Sequence, residues 1–220
     1  MKRQYLGDSK DSFKWDYHDF LLRNLEYNEL NAVLMMTPDD QGSDGKTKPE
    51  LFPAMQEVID FCNRLRVFRD PEYISELPET TKANYSVSFH KPNQHLSQEN
   101  RGRYFSGIKY QPKQVLFLDP DNGFEPEREY SEKHVRYSEI ETILNHAPSE
   151  FVVSVFQHFR RINFVEDFSR IRERLGARSL TGVYWHSLMF VALSSSSETI
   201  SRVREINLEY SKIRPVKIIV

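Results

Sequence analysis

Three side chains able to move a proton or orient a water fall within the run Asp119-Pro120-Asp121-Asn122-Gly123. Two carboxylates this close can divide acid and base duties, and a carboxamide beside them can hold a water or a substrate edge. Pro120 fixes its own φ and drives Asp119 toward extended geometry, while Gly123 permits a positive φ, so the residues of the turn largely set its shape. The same composition also suits an ordinary Asx-type turn between strand and helix, and at this level both readings stand. A second polar cluster, Gln157-His158-Phe159-Arg160-Arg161, offers a histidine beside two arginines. A third, from Thr37 through Asp39 and Asp44 to Lys46, offers a hydroxyl, carboxylates and an ammonium, and by composition it is equally an exposed loop.

Each cluster follows an apolar run: Val115–Leu118, Phe151–Phe156 and Ala32–Met36. Such runs, bounded by turn residues, predict strands buried on both faces. In open α/β sheets ligands bind at the carboxyl ends of strands. If the three strands are parallel neighbours, then Asp119, Asp121 and Asn122 share one rim with Thr37, Asp39, Asp44 and Lys46 and with Gln157 and His158.

Helical patterns fill the intervals. Phe13, Tyr17, Phe20, Leu21 and Leu25 predict a helix starting near Ser9 to Ser12, and Leu51, Met55, Val58, Ile59, Cys62 and Leu65 predict one opened by Pro49. Ser138 to Leu144, Phe164 to Leu175 and Glu198 to about Lys212 predict three more. Tyr85, Val87 and Phe89 alternate as in a half-buried strand. Thr181 to Leu193 reads as one long strand with His186 embedded in it, either as a core histidine or as a substrate contact, and Val216 to Val220 closes the sheet. The charged members of the first helix, Asp8, Asp11, Lys14, Asp16 and Asp19, are expected on a solvated face, the wall of a site being the alternative. The alternation predicts a single α/β domain over residues 1–220, a three-layer sandwich around a mainly parallel sheet.

A length of 220 residues suffices for a good core, and 39% hydrophobic with 28% charged residues is ordinary for a soluble globular chain. The net charge of -2 argues against binding nucleic acid through global charge. Local patches are another matter. Residues 90–113 hold Lys91, Arg101, Arg103, Lys109 and Lys113 against Glu99, with Tyr104, Phe105 and Tyr110 interleaved. That is the composition of a nucleic-acid-contacting insertion, with Lys91, Arg101, Arg103, Arg160 and Arg161 as candidate phosphate contacts.

The lone Cys62 fits a core thiol in a reducing cytoplasm and rules out a Cys-rich zinc site. No signal-peptide pattern opens the chain, and no apolar run approaches the roughly 20 residues of a membrane span, so a soluble cytoplasmic protein is expected. Dinucleotide, P-loop, nucleophile-elbow and His-Glu-x-x-His motifs are all missing. Neither cofactor nor metal is expected, since a site built from Asp119, Asp121 and His158 has no ligand spacing behind it.

Asp119-Pro120-Asp121-Asn122-Gly123 resembles the water-activating motif of the uracil-DNA glycosylase superfamily, Asp-Pro-Tyr-His-Gly in its first family. Asp119, Pro120 and Gly123 agree, and mismatch-specific members place an Asn in the corresponding loop. The motif departs from that pattern in having Phe117-Leu118 where Gly-Gln is usual, and in lying mid-chain. The resemblance implies a three-layer α/β sandwich and a DNA glycosylase that turns its target nucleotide out of double-stranded DNA. On that model Asp119, or failing it Asp121, orients water and stabilises the oxocarbenium-like sugar, Asn122 positions water or base, and His158 or His186 donates a hydrogen bond to the departing base. Where the family's Tyr packs against C5 of the base, Asp121 implies room for a C5 group carrying hydroxyls. A glucosylated hydroxymethylcytosine in phage DNA is such a base, which implies antiviral defence. Over most of its length the chain also looks like a group of bacterial proteins sharing an early Gly-Asp helix start, the Thr-Pro-Asp loop, the Asp-Pro-Asp-Asn-Gly turn and the Gln-His-Phe strand end. Two other classes remain open. Asp119-Pro120-Asp121-Asn122 also resembles a degenerate Asp-Pro-Pro-Tyr motif of S-adenosylmethionine-dependent amino-methylating enzymes, and a non-catalytic nucleotide-binding module would use the same rim.

Overall fold

Successive residues of β3 (Gln114–Leu118) point to opposite faces of a sheet, and both faces are covered. Val115 and Phe117 enter one apolar cluster, while Leu116 and Leu118 enter another. The computed structural model describes residues 1–39, 45–176 and 178–220, so the expectation for Asp44 lies outside the described residues. In chain order the other elements are α1 (Ser9–Leu25), β1 (Glu29–Val33), α2 (Gln56–Phe68), α3 (Leu77–Thr81), β2 (Ser86–Phe89), α4 (Arg101–Phe105), β4 (Gly123–Phe124), β5 (His134–Val135), α5 (Tyr137–His146), β6 (Phe151–His158), α6 (Phe164–Arg174), β7 (Leu180–Trp185), β8 (Leu188–Leu193), α7 (Ser197–Ile213) and β9 (Lys217–Ile219).

Seven strands form one sheet in the order β2-β1-β3-β6-β8-β7-β9. The first four are mutually parallel, and the remaining pairings are antiparallel, so five of the seven point the same way. One face is covered by α1, α2 and α7, whose Phe13, Phe61 and Tyr210 share a cluster with Phe117 and Phe190. On the other face Tyr104 of α4, Ile140 of α5 and Phe168 of α6 meet Leu116, Val153 and Val191. This is the expected three-layer α/β sandwich, and β1, β3 and β6 are the parallel neighbours that bring three polar strand ends to one rim. Among the described residues no helix is long and apolar enough to cross a membrane.

Three sequence expectations need correction. Pro49 opens only a single 3-10 turn, Pro49–Leu51, and α2 begins at Gln56. Pro53 explains the break, since it disfavours helical geometry at Phe52, which is extended. The expected strand from Thr181 to Leu193 is a hairpin, in which Trp185 pairs with Leu188 across a two-residue turn at His186 and Ser187. His186 there has φ +48 and is exposed, so it is not a core histidine.

The third correction concerns α1. Its expected solvated face is buried: Asp8, Asp11, Lys14, Asp16 and Asp19 each expose 4% or less. Burial of charge is costly unless every group is partnered, and the lower two are. Asp16 accepts from Arg214 at 2.8 and 3.0 Å, from the Tyr210 hydroxyl at 2.8 Å and from Met55 N at 2.7 Å. Asp19 accepts from Arg23 at 2.7 Å, the Thr81 hydroxyl at 2.7 Å and the Tyr85 hydroxyl at 2.9 Å. These bonds tie α1 to α7, α3 and the start of β2. The upper three charged groups belong to the site.

The start of α1 is set by Gly7, whose φ of +78 lies in the left-handed region. A Cβ there would come within 2.3 Å of Cys62 O and 2.6 Å of Arg66 N on α2. Gly7→Ala should therefore destabilise the protein by roughly 2 to 5 kcal/mol, combining left-handed strain with backbone overlap. A thermal melt within 2 °C of wild type would contradict this account of the helix start.

Candidate active site

A cavity of about 190 Å³ opens at the carboxyl ends of the parallel strands, bounded by the N-terminus of α1 and the turn after β3. Lys14 sits at its floor. Its Nζ lies 2.8 Å from Asp11 Oδ1 and 2.7 Å from Asp119 Oδ2, with 5% of the lysine side chain exposed. The spacing of Asp8, Asp11 and Lys14, three residues apart each time, puts all three on one side of the helix. Asp11 is held from its other oxygen by Gly7 N at 2.8 Å. Asp8 is the N-cap and accepts from Lys10 N at 2.9 Å and Asp11 N at 3.0 Å.

Burial pushes the Asp119 carboxyl above its ordinary range, with the Lys14 ammonium pulling the other way. Burial also works against charge on Lys14, but Asp11 and Asp119 outweigh it and hold the ammonium proton above the usual lysine range. Asp8 is pushed up to about 6, first by burial and then by the charge of Asp11, against the backbone N–H and the nearby lysines. The wall thus presents two carboxyl groups in different electrostatic settings.

Asp121 is engaged elsewhere. Its Oδ1 lies 2.8 Å from the Met1 ammonium, and its Oδ2 accepts from the Thr37 hydroxyl at 2.5 Å. Burial opposes its charge, yet the Met1 ammonium and the two hydrogen bonds leave its carboxyl below the ordinary range. Thr37, expected as a substrate contact, lies at this end of the sheet but is 2% exposed and outside the cavity lining, and its hydroxyl braces the turn. Asn122 lines the cavity and places its amide nitrogen 3.4 Å from His134 Nε2. His158 also lines the cavity, with Nε2 3.4 Å from Lys10 Nζ.

The other expected site residues are dispersed. Gln157 is fully buried, accepts from Phe124 N at 2.8 Å and donates to His158 O at 2.8 Å, so it fixes β4 over β6. Gly123, φ +103, is needed for that approach, since a Cβ would fall 2.2 Å from Gln157 Oε1. Asp39 is exposed and accepts weakly from Gln4 N at 3.4 Å, and Lys46 is exposed near Arg66. His186 stays in the β7–β8 turn, outside the cavity lining.

Of the expected phosphate contacts, Arg101 is buried and forked onto Glu139 at 2.5 and 2.7 Å, and Arg160 pairs with Asp167 at 2.6 Å. Lys91 donates to Arg103 O at 2.9 Å, while the Arg103 and Arg161 side chains are exposed. The segment 90–113 contributes Leu96, Tyr104 and Ile108 to the second apolar cluster, so its aromatics are in part core. The lysines that do line the cavity are Lys2, Lys10, Lys14 and Lys133.

Asp8, Asp11 and Lys14, expected on a solvated face, thus form the wall of the cavity, the alternative reading of that helix, and Lys10 lines it with them. The three-residue spacing of Asp8, Asp11 and Lys14 puts them on one side of the helix but does not by itself say whether that side meets solvent or a site. Among the described residues no group of three or more His, Cys, Asp or Glu is arranged to hold a metal ion. The chain matches no protein-family model and no curated protein.

Proposed function

We propose that the protein hydrolyses the N-glycosidic bond of a nucleotide turned out of DNA, leaving an abasic site. The observation that supports this most is the buried Lys14–Asp119 pair, 2.7 Å apart, at the floor of a cavity whose walls also carry Lys2, Lys10 and Lys133. Breaking a glycosidic C–N bond builds positive charge on the sugar and negative charge on the base. A carboxylate under the sugar meets the first, and cations on the walls suit the phosphates that flank it. Lys14 occupies Asp119 Oδ2, leaving Oδ1 as the oxygen that orients the attacking water. As the water oxygen bonds to the sugar carbon, the bond to the base breaks, and the water's proton passes to a carboxylate.

Asp8, with its proton held to about pH 6, is the donor we assign to the departing base, and His158 is placed to add a hydrogen bond. Asp121 is bonded to Met1 and Thr37 and serves the turn's shape in this scheme. A C5-modified cytosine, met in anti-phage defence, is proposed as the target on the strength of the motif's resemblance alone.

Duplexes carrying unmodified, hydroxymethylated or glucosylated cytosine, or uracil, can be incubated with the protein and then treated with alkali. Strand cleavage of at least one duplex is expected, lost in Asp119→Asn. Intact strands in every case would overturn the hydrolytic reading, and calorimetric binding of S-adenosylmethionine in its place would favour methyl transfer.

A further inference from the structure

Across the short β4–β5 ribbon from the cavity lies a second concavity of about 320 Å³, lined by Glu125, Arg128, Tyr137, Arg160, Arg170 and Arg174 among others. We propose that this groove holds the phosphodiester backbone of the strand next to the nucleotide seated in the cavity. The proposal rests on the reading that the ligand is a nucleotide within DNA.

Charge and geometry carry it together. Four arginines face three acids in the lining; Asp167 pairs with Arg160, and Glu166, outside the lining, pairs with Arg170 at 2.6 Å, which leaves Arg128 and Arg174 as the arginines of the groove in no ion pair among the described residues. Asp167, 2% exposed, lies under Arg160 at 2.6 Å, and Glu125 accepts from Tyr137 N at 2.9 Å. Arg160 is neutralised by Asp167 and fixed at a second edge by Phe124 O, 2.9 Å from Nη1, so it forms a rigid wall of the groove and leaves the phosphate contacts to the other arginines.

Arg174 is positioned differently. Its guanidinium lies over the Tyr137 ring, 5.2 Å from the centroid. A ring face orients a guanidinium without consuming its N–H donors, which stay free to fork onto a phosphate. Arg128 is exposed and has neither ion pair nor hydrogen bond among the described residues. The Tyr137 hydroxyl, bonded to Arg160 in the groove lining, keeps its proton at neutral pH as any phenol does and supplies one more donor.

Placement relative to the cavity fits a continuous strand. Asn122 lines the cavity and Glu125 lines the groove, and three residues of extended chain span at most about 10 Å. Arg160 follows His158 by two residues, so the end of β6 also serves both hollows.

The test is fluorescence anisotropy of a labelled DNA duplex, and of one of its strands alone, titrated with full-length protein over a range of salt. The double variant Arg128→Gln/Arg174→Gln should bind about tenfold or more weakly, with a log–log salt slope shallower by roughly 2 for the duplex. Arg174→Lys should retain most of the slope while losing affinity, and equal thermal melts exclude misfolding. Wild-type affinity and slope in the double variant would overturn the proposal, as would a protein that binds inorganic phosphate but neither form of DNA. Binding that depends on these arginines without any base release would sink the glycosylase reading and leave the groove standing.

Discussion

Lys14→Met should cost the protein roughly 3 to 5 kcal/mol at neutral pH, the penalty for removing one partner from a buried ionic group. The substitution leaves Asp11 and Asp119, which expose 1% and 2%, without the ammonium that now lies within 2.8 Å of both. The pH dependence identifies the cause. Burial already raises the folded Asp119 carboxyl above its unfolded value, and losing Lys14 raises it further. A carboxyl that binds its proton more tightly when folded opposes folding wherever it is ionised, so the variant's deficit should shrink as pH falls through that raised value. Urea unfolding of both proteins from pH 5 to 8 measures the gap. A deficit independent of pH would mean that lost apolar contact, and not uncompensated charge, dominates.

Asp8→Asn should act in the opposite direction on stability and against function. The Asp8 carboxyl is moved from 3.8 to about 6, which at about 1.4 kcal/mol per pH unit places a penalty of roughly 2 to 3 kcal/mol on its ionised form in the fold. Asparagine keeps an acceptor for Lys10 N and Asp11 N, so the helix cap survives. The variant should therefore be more stable than wild type at pH 7 to 8. That advantage should fade as pH falls from about 6 toward 4, where the wild-type carboxyl becomes protonated in both states. Under the proposed hydrolysis, base release should slow in the variant, and a fall in rate above about pH 6 should be seen in the wild type alone, because the proposed proton donor is gone. Equal stabilities at pH 8 would contradict the electrostatic account. A stabilising change that costs activity is the usual mark of a strained functional group.

How far the sequence reveals this arrangement depends on how local the determinant is. The strand before Asp119 was legible because Val115 to Leu118 are uninterruptedly apolar and the turn that follows carries its own conformational instructions in Pro120 and Gly123. The identity of the rim followed from three such runs. The buried polar side of α1 was not legible, because an exposed charged face and an internally paired one have the same spacing. The partners that distinguish them are remote in sequence: Asp119 is 105 residues from Lys14, and Arg214 is 198 from Asp16. Arg101 and Arg160 misled for the same reason, since their acids, Glu139 and Asp167, are ordinary surface residue types until the fold brings them close. The hairpin at His186 and Ser187 lacked the Asn-Gly or Gly-rich signal that usually marks a two-residue turn.

The helix that carries Asp8, Asp11 and Lys14 is also the one whose Phe13 and Tyr17 rings contact Phe190 at the centre of the sheet. An α-helix advances 100° per residue, so one residue inserted between Asp8 and Lys14 would swing the ammonium out of line with Asp119 or drag the aromatic face off the sheet. No intermediate arrangement satisfies both. The distance in residues from Gly7 to Tyr17 is therefore frozen, and divergence there must proceed by substitution alone.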